Sequence, residues 1–587
     1  MAVSTELVTK DRTVCIIITI IVSFGVLACF NFDSGVDFSR IIREFHEDWT
    51  TPNLPIPAKE LPGYPKASAG GEILNKLKEL SSMASEGHDY TLSATERQAW
   101  HTQHPCLSRS ELPVMYAARK HVKDMSSNTE WDRVLEEYSK LHRVCMKRVG
   151  NITEHFLNKS NVSIPGCKFL VGEGTNGLGN KLLVTVSAVL YAIVSQRVLL
   201  MPRRTNLGTI LCEPFVGSSW MLDSDEVAPG FGNVNTSWVE DGVFIRNMYE
   251  RLELAKNEES GNQTQMASIY LPPLVDAVVV ASGWDQWQPR DWFYCSTEQR
   301  FLTEVQWVYL SGCLYSIPGM FASPVFRTSL KALFPDNMVT TRLLRSVHLP
   351  SDTVWSRFKH LNHAYFQQPD RRVAVQLRFY GNTHETSGTL VNDKVLDCVI
   401  ENGILPNVTE TTTQARSSTV EAPITTVFIA SLYPDLHDRL TEFYLRNPTE
   451  SGEDVNLVQV TNHFYQSSGV EEDTEAMVEV LLLSVSDALL VTPGSTFGGL
   501  AHTYGGLIPW VINTYNVTLP ESCERGQSVD DCQAGAKENY SCPNDPETAD
   551  PDPTQQDVAE KEPPTLGLCS YFGFLVGAQV LTNGSLN

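Results

Sequence analysis

The chain has 587 residues, 42% of them hydrophobic and 19% charged, with a formal net charge of -24. It is too apolar for a disordered chain, and so acidic a surface repels phosphate backbones, which excludes general nucleic-acid binding but leaves room for a local basic pocket. Length favours two large domains or one two-lobed body, and the 37 Gly and 32 Pro follow no short period, so fibrous and repeat architectures are excluded.

Residues Val14 to Phe30 (VCIIITIIVSFGVLACF) form a run of 17 without a charge, extended by Asn31 and Phe32. At a rise of 1.5 Å per residue such a run just crosses a hydrocarbon core. Lys10 and Arg12 precede it and Asp33 and Asp37 follow, which predicts a cytosolic tail over 1–13 and a transmembrane signal anchor over 14–32. The competing reading is a cleaved signal peptide, whose apolar run would be shorter; Val26 to Cys29 is a weak match to a lipoprotein cleavage site.

Two features agree with a lumenal body. Nine glycosylation sequons occur, at Asn151, Asn158, Asn161, Asn235, Asn262, Asn407, Asn516, Asn539 and Asn583. Of 13 cysteines, 11 lie beyond the apolar run, with no CxxC pair and no zinc spacing, so disulfides in an oxidising compartment are expected. An odd number leaves at least one thiol free or paired with another chain.

Residues 33–105 are rich in Pro, Gly and charge, with one helical stretch near Ile73 to Leu80, and are expected to form a stem. Beyond it, short apolar runs alternate with helical stretches. KFLV (168–171) precedes a Gly-rich turn and a helix over 178–196, followed by RVLLM (197–201) and AVVVA (277–281). A second series begins at VAVQLRF (373–379). Helices near 392–402, 435–446 and 474–486 alternate there with strands at 427–431, 456–460, 488–492 and 509–512. Apolar strands alternating with helices imply parallel sheets covered on both faces. Two such sets predict two Rossmann-like domains facing a cleft, over 106–365 and 366–520, with a Cys- and Pro-rich tail and acidic linker over 521–587. Ligands of such sheets bind beyond the carboxyl ends of the strands. The apolar tail Leu566 to Leu581 is short for a second span and is expected to pack on the body.

Three motifs sit at such strand ends. Gly174-Thr175-Asn176-Gly177-Leu178-Gly179-Asn180-Lys181 joins a strand to a helix, where glycines allow close approach to an anion. It is neither a Walker A sequence nor a full GxGxxG, and a structural turn is the equal alternative. Arg378 ends VAVQLR, suited to bidentate phosphate binding or, alternatively, to an interdomain salt bridge. Thr492-Pro493-Gly494-Ser495-Thr496-Phe497-Gly498-Gly499 again offers hydroxyls and N–H groups at a strand-to-helix turn, or a simple N-cap. Asp223-Ser224-Asp225 has the DxD form of metal-dependent sugar transferases, but its acidic run (LDSDEVAPG) has the character of a solvated loop, and no metal site is assigned.

These motifs, in this order, resemble the plant xyloglucan fucosyltransferase family. The resemblance extends from about Cys106 to Cys532 and includes Cys106-Leu107-Ser108-Arg109, LYAIVSQRVLL after Asn180, Cys212-Glu213-Pro214-Phe215 with Ser219-Trp220, and Gly505-Gly506-Leu507 with Pro509-Trp510. It implies a type II Golgi membrane enzyme of GT-B-like α/β fold that transfers L-fucose from GDP-fucose with inversion and without metal or other cofactor. On that resemblance Arg378 is the expected catalytic cation. Ser495, Thr496, Phe497 and Gly498, with Gln376, are expected to hold the nucleotide, and Gly177, Gly179, Asn180 and Lys181 to line the opposing wall. Lys181 stands where the family has Arg, keeping the charge and losing the guanidinium fork.

The family's acceptor-side segment carries an acidic residue, whereas Ser311-Gly312-Cys313-Leu314-Tyr315 here does not. Asp285, Asp291, His384 and Glu385 remain acid-base candidates, each also compatible with a loop or surface role. The expected acceptor is a cell-wall glycan, first the galactose of xyloglucan through an α-1,2 linkage. The alternatives are arabinogalactan protein, a non-catalytic glycan-binding relative, or a lumenal sulfotransferase, the last disfavoured by the missing P-loop. A homodimer is compatible with the sequence.

Overall fold

The computed structural model describes residues 4–10, 13–20, 24–31, 69–119, 128–152, 164–174, 176–222, 243–244, 277–282, 293–296, 299, 302–303, 306–312, 317–366, 369–380, 383–409, 422–461, 469–538, 540 and 565–582. The chain forms two compact units, Met1–Lys66 and Ala67–Asn587.

In the first unit, strands β1 (Ser4–Lys10), β2 (Thr13–Ile20) and β3 (Phe24–Asn31) form an antiparallel meander, with Ser4 opposite Thr19 and Thr13 opposite Asn31. The sequence predicts a helix over 14–32. No helix among the described residues is long and apolar enough to cross a membrane. The run is dominated by Ile, Val and Thr, whose branched side chains suit a strand, and only hydrocarbon surroundings force such a segment to satisfy its backbone within a helix.

The second unit starts earlier than the predicted boundary at 106. Helix α1 (Ala69–Ser85) places Ile73, Leu77 and Ala84 on one buried stripe and packs them against helix α4 (Thr129–Val149), so this part of the expected stem belongs to the body. Helices α2 (Ala94–Gln103) and α3 (Ser108–Ala117) lie between them in sequence. Ser93 closes a capping box with Glu96 at the start of α2.

The first large sheet has the order β5-β4-β8-β7-β6, all parallel, from β4 (Phe169–Gly174), β5 (Val198–Leu200), β6 (Val243–Phe244), β7 (Ala277–Ser282) and β8 (Trp307–Gly312). Helix α5 (Leu178–Val194) crosses over from β4 and is buried along nearly its whole length, as its apolar sequence requires. A short helix α6 (Leu207–Ile210) follows β5, and helices α7 (Ile317–Ala322), α8 (Pro324–Leu333), α9 (Val339–Val347) and α10 (Asp352–Phe366) lead into the second sheet.

The second sheet has the order β11-β10-β9-β12-β13-β14. Its strands are β9 (Arg371–Leu377), β10 (Ile424–Ser431), β11 (Asp454–Val458), β12 (Ala488–Val491), β13 (Trp510–Ile512) and β14 (Cys523–Arg525). Five strands run parallel and β14 pairs antiparallel with β13, so the sheet is mixed rather than purely parallel as expected. Its strand order reverses between β9 and β12, the crevice where doubly wound sheets bind ligands.

The pleat divides the core. Val373, Val375, Leu377, Val427, Ile429 and Leu490 face helices α11 (Thr383–Glu401) and α12 (Asp435–Arg446). Ala374, Phe428, Ala430, Leu489 and Val491 face the other way and share one apolar core with the first sheet. Helices α13 (Val470–Ser484) and α14 (Thr496–Gly505) fill that shared layer, α14 packing against both α13 and α5. Finally β15 (Gln533–Ala534), β16 (Leu566–Tyr571) and β17 (Phe574–Val580) make a small antiparallel sheet from the tail, packed on the body as expected.

Disulfides join Cys106 to Cys212, Cys145 to Cys167, Cys398 to Cys523 and Cys532 to Cys569, and Cys295 is also disulfide-bonded.

Candidate functional site

Arg378 follows the last residue of β9 at the strand-order reversal. Its backbone N–H donates to Thr492 Oγ1 at 2.9 Å, fixing the end of β9 beside the turn after β12. Gln376, buried one pleat earlier, receives the Thr492 N–H on its backbone oxygen at 3.2 Å. Its side-chain oxygen lies 2.6 Å from where a Cβ on Gly498 would stand.

That turn opens into α14 at Ser495, which has extended backbone and makes no side-chain cap bond. The first turn of α14 therefore presents N–H groups without a hydroxyl cap and without an acidic residue, an arrangement suited to an anion. Tyr380 lies close to Ser495 and Arg378, and burial raises the pKa of its hydroxyl against the opposing effect of Arg378.

The Gly-rich turn after β4 meets this point from the other sheet. Gly177 is the N-cap of α5. A Cβ on Gly179 would lie 2.6 Å from Thr496 Oγ1 and 3.0 Å from the Phe497 nitrogen. Any side chain there would cover the N–H end of α14, so the glycine is what keeps the two turns in contact and the donors open. Gly179, Gln376, Ser495, Thr496, Phe497, Gly498 and the backbone of Arg378 thus lie together, with Gly177 two residues before Gly179.

Asn180, half-buried, follows Gly179. Lys181 differs from the expectation. Its ammonium is buried and lies 2.8 Å from Asp473 Oδ2, which also accepts from Asn206 Nδ2 at 3.1 Å. This cation ties α5 to α13, and its geometry is that of a positioning residue.

His384 stacks on Tyr433 with ring centroids 3.6 Å apart and 8° between planes, and its Nε2 is 3.1 Å from Asp435 Oδ2. Glu385 is exposed on the first turn of α11. Asp285, Asp291, Asp223-Ser224-Asp225 and Cys313 to Tyr315 lie outside the described residues. Among the described residues no group of three or more His, Cys, Asp or Glu side chains could hold a metal ion. Of the sequons, Asn151 and Asn407 are exposed and Asn516 is half-buried, accepting from the Thr518 hydroxyl of its own sequon at 2.6 Å. Asn158, Asn161, Asn235, Asn262, Asn539 and Asn583 lie outside the described residues.

Three features escape sequence reasoning. Glu173, at the end of β4, forms a two-point ion pair with Arg204 at 2.5 and 2.6 Å, bracing the strand that carries the Gly-rich turn. Its signal was a lone acid in an apolar strand. Asp531, from the tail, packs where a Cβ on Gly499 would stand and lies 3.5 Å from His502 Nε2; nothing local in the sequence announces that pairing. The CLSR and CEPF segments are joined by the Cys106–Cys212 disulfide, and Arg109 donates to the Glu213 carbonyl at 2.6 Å. Glu213 accepts from Ser219 at 2.6 Å and from the Trp220 N–H at 3.1 Å, and burial raises its pKa. These motifs brace one another beside the first sheet.

Comparison with known proteins agrees with this architecture. A galactoside 2-alpha-L-fucosyltransferase of Pisum sativum is 30% identical over 411 residues, 68% of this chain and 68% of that protein. A probable fucosyltransferase 8 of Arabidopsis thaliana is 28% identical over 415 residues, 68% of this chain and 77% of the relative. A solved structure of a mutant Arabidopsis thaliana FUT1 in complex with GDP superposes with a TM-score of 0.64 at 24% identity, covering 81% of this chain and 96% of that one, and so shares the fold. The family model for xyloglucan fucosyltransferase matches residues 93–543. The chain belongs to the xyloglucan fucosyltransferase family and is a glycosyltransferase.

Proposed function

We propose that the protein transfers L-fucose from GDP-fucose, with inversion, to a cell-wall glycan, first the galactose of xyloglucan through an α-1,2 linkage. The observation that carries this reading is the meeting of the Gly179 turn with the first turn of α14 beside Arg378. When the anomeric C–O bond breaks, the sugar gains positive charge and the diphosphate gains negative charge. A guanidinium and fixed N–H dipoles aimed at the leaving diphosphate lower that barrier without a metal. The acceptor oxygen bonds to the anomeric carbon from the opposite face as GDP departs, and its proton is released.

The membrane-anchored, type II Golgi placement belongs to the same proposal. It is supported by the uncharged run over 14–30, basic residues before it and acidic residues after it, and by disulfides and exposed sequons in the body. In a bilayer that run would be helical.

The test is transfer of labelled fucose from GDP-fucose to a panel of unfucosylated wall glycans. Transfer that persists in EDTA and vanishes in Arg378→Ala, with GDP-independent folding unchanged, is the expected result. Near-normal turnover in a folded Arg378→Ala variant, or an absolute need for manganese, would overturn the reading.

A further inference from the structure

The tail hairpin β16–β17 lies at 566–580, beyond the residues matched by the family model, which end at 543. Its turn is Phe572-Gly573, with positive φ at both residues (52° and 82°), the two-residue turn that matches strand twist. The hairpin is pinned by the Cys532–Cys569 disulfide and by Glu524, which accepts the Phe572 N–H at 3.2 Å. Its strands pack on α7. On its other side, Val576 approaches Gly494, one residue before Ser495. The hairpin therefore reaches from α7 to the turn after β12 that carries Ser495.

Large apolar side chains are left open there. Phe574 is 48% exposed and Leu575 65%, and Tyr515 and Tyr380 are 41% and 42% exposed. The Tyr515 and Phe574 rings are 5.5 Å apart. Tyr515 turns its hydroxyl inward, donating to the Pro493 carbonyl at 3.0 Å, so its ring is held while part of it faces water, and Tyr380 lies beside it. Rigid half-exposed rings beside a sugar-transfer site match the apolar C–H face of a pyranose, which the negative face of an aromatic ring attracts. The four side chains carry no charge, which suits a neutral pyranose face rather than a carboxylate.

We infer that Tyr380, Tyr515 and Phe574, rimmed by Leu575, form a stacking platform that holds a neutral glycan acceptor beside the donor turn. This rests on the fucosyltransferase reading of the same site.

The test compares the full chain with Phe574→Ala/Leu575→Ala by affinity electrophoresis in gels containing unfucosylated xyloglucan, galactan, galactomannan or polygalacturonate. The wild type is expected to be retarded by a neutral polymer. The double variant should bind it at least tenfold more weakly, with GDP affinity by calorimetry unchanged, and Phe574→Trp should retain binding. Equal retardation of the double variant, no retardation of the wild type by any neutral polymer, or preference for polygalacturonate would overturn the platform. Labelled transfer measured in parallel separates the two readings. A wild type that binds glycan through these residues but transfers no fucose upholds the platform and counts against the fucosyltransferase function.

Discussion

In the proposed site, Arg378 and Gly179 have different tasks. Arg378 supplies charge at the strand-order reversal, and Gly179 supplies empty volume over the α14 donors. Removing an electrostatic donor of this kind costs on the order of a hundredfold or more in turnover, so Arg378→Ala should lose at least that much kcat. Gly179→Ala should act differently. Its Cβ would fall 2.6 Å from Thr496 Oγ1 and 3.0 Å from a backbone nitrogen, and the turns must part by a few tenths of an ångström. A loss of GDP affinity of about tenfold, roughly 1.4 kcal/mol, is expected by calorimetry. Affinity equal to that of the wild type would mean the two turns do not share the nucleotide. Both residues stand out in the sequence, one as a cation ending an apolar strand and one as a glycine between strand and helix. Glu173 and Asp531 do not, because their partners Arg204 and His502 come from other segments.

Lys181 and Asp473 show what a helix pair requires. Both are buried, and they join α5 of the first sheet to α13 of the second. Lys181 reads in sequence as a ligand cation because it follows a Gly-rich turn, yet helical geometry turns its side chain into the interface between the two helices. Lys181→Ala leaves an uncompensated buried carboxylate, a loss of roughly 3–5 kcal/mol. The denaturant midpoint should fall accordingly, and Lys181→Ala/Asp473→Ala should recover part of it. If Lys181→Ala instead keeps its midpoint and loses GDP binding, the lysine contacts ligand directly. The helix boundaries over 435–446 and 178–194 matched expectation closely because their apolar periodicity and flanking turns are local signals. The edge strand β14 was not expected, and the helix expected near Ile73 to Leu80 was expected in a stem rather than on the body, since pairing with β13 and burial against α4 are decided by distant segments.

Stability of the whole body should depend on pH through Glu479. It is buried on α13 with Thr461 donating to its carboxylate, and burial pushes its pKa from 4.5 to about 7. Between those values the folded chain holds a proton that the unfolded chain has released. Stability from this group is therefore full below 4.5, falls as pH rises through the window and is level above about 7, by an amount on the order of 3 kcal/mol. Glu479→Gln should flatten the urea midpoint across that window and raise it at pH 8. A wild-type profile without slope between pH 5 and 7 would contradict this.

The chain's amino acids alone were enough to establish alternating strands and helices, an excess of acidic residues, the expectation of disulfides and three motifs at strand ends. Those properties are written in periodicity, composition and short spacing, which act over a few residues. Folding was needed to bring Gly179 onto Phe497, to commit Lys181 to Asp473, and to lay the tail hairpin between Gly494 and α7. Each of these contacts joins residues hundreds of positions apart or from separate elements. Their approach is set by packing of two sheets around a shared helical layer, a property no local window of sequence contains.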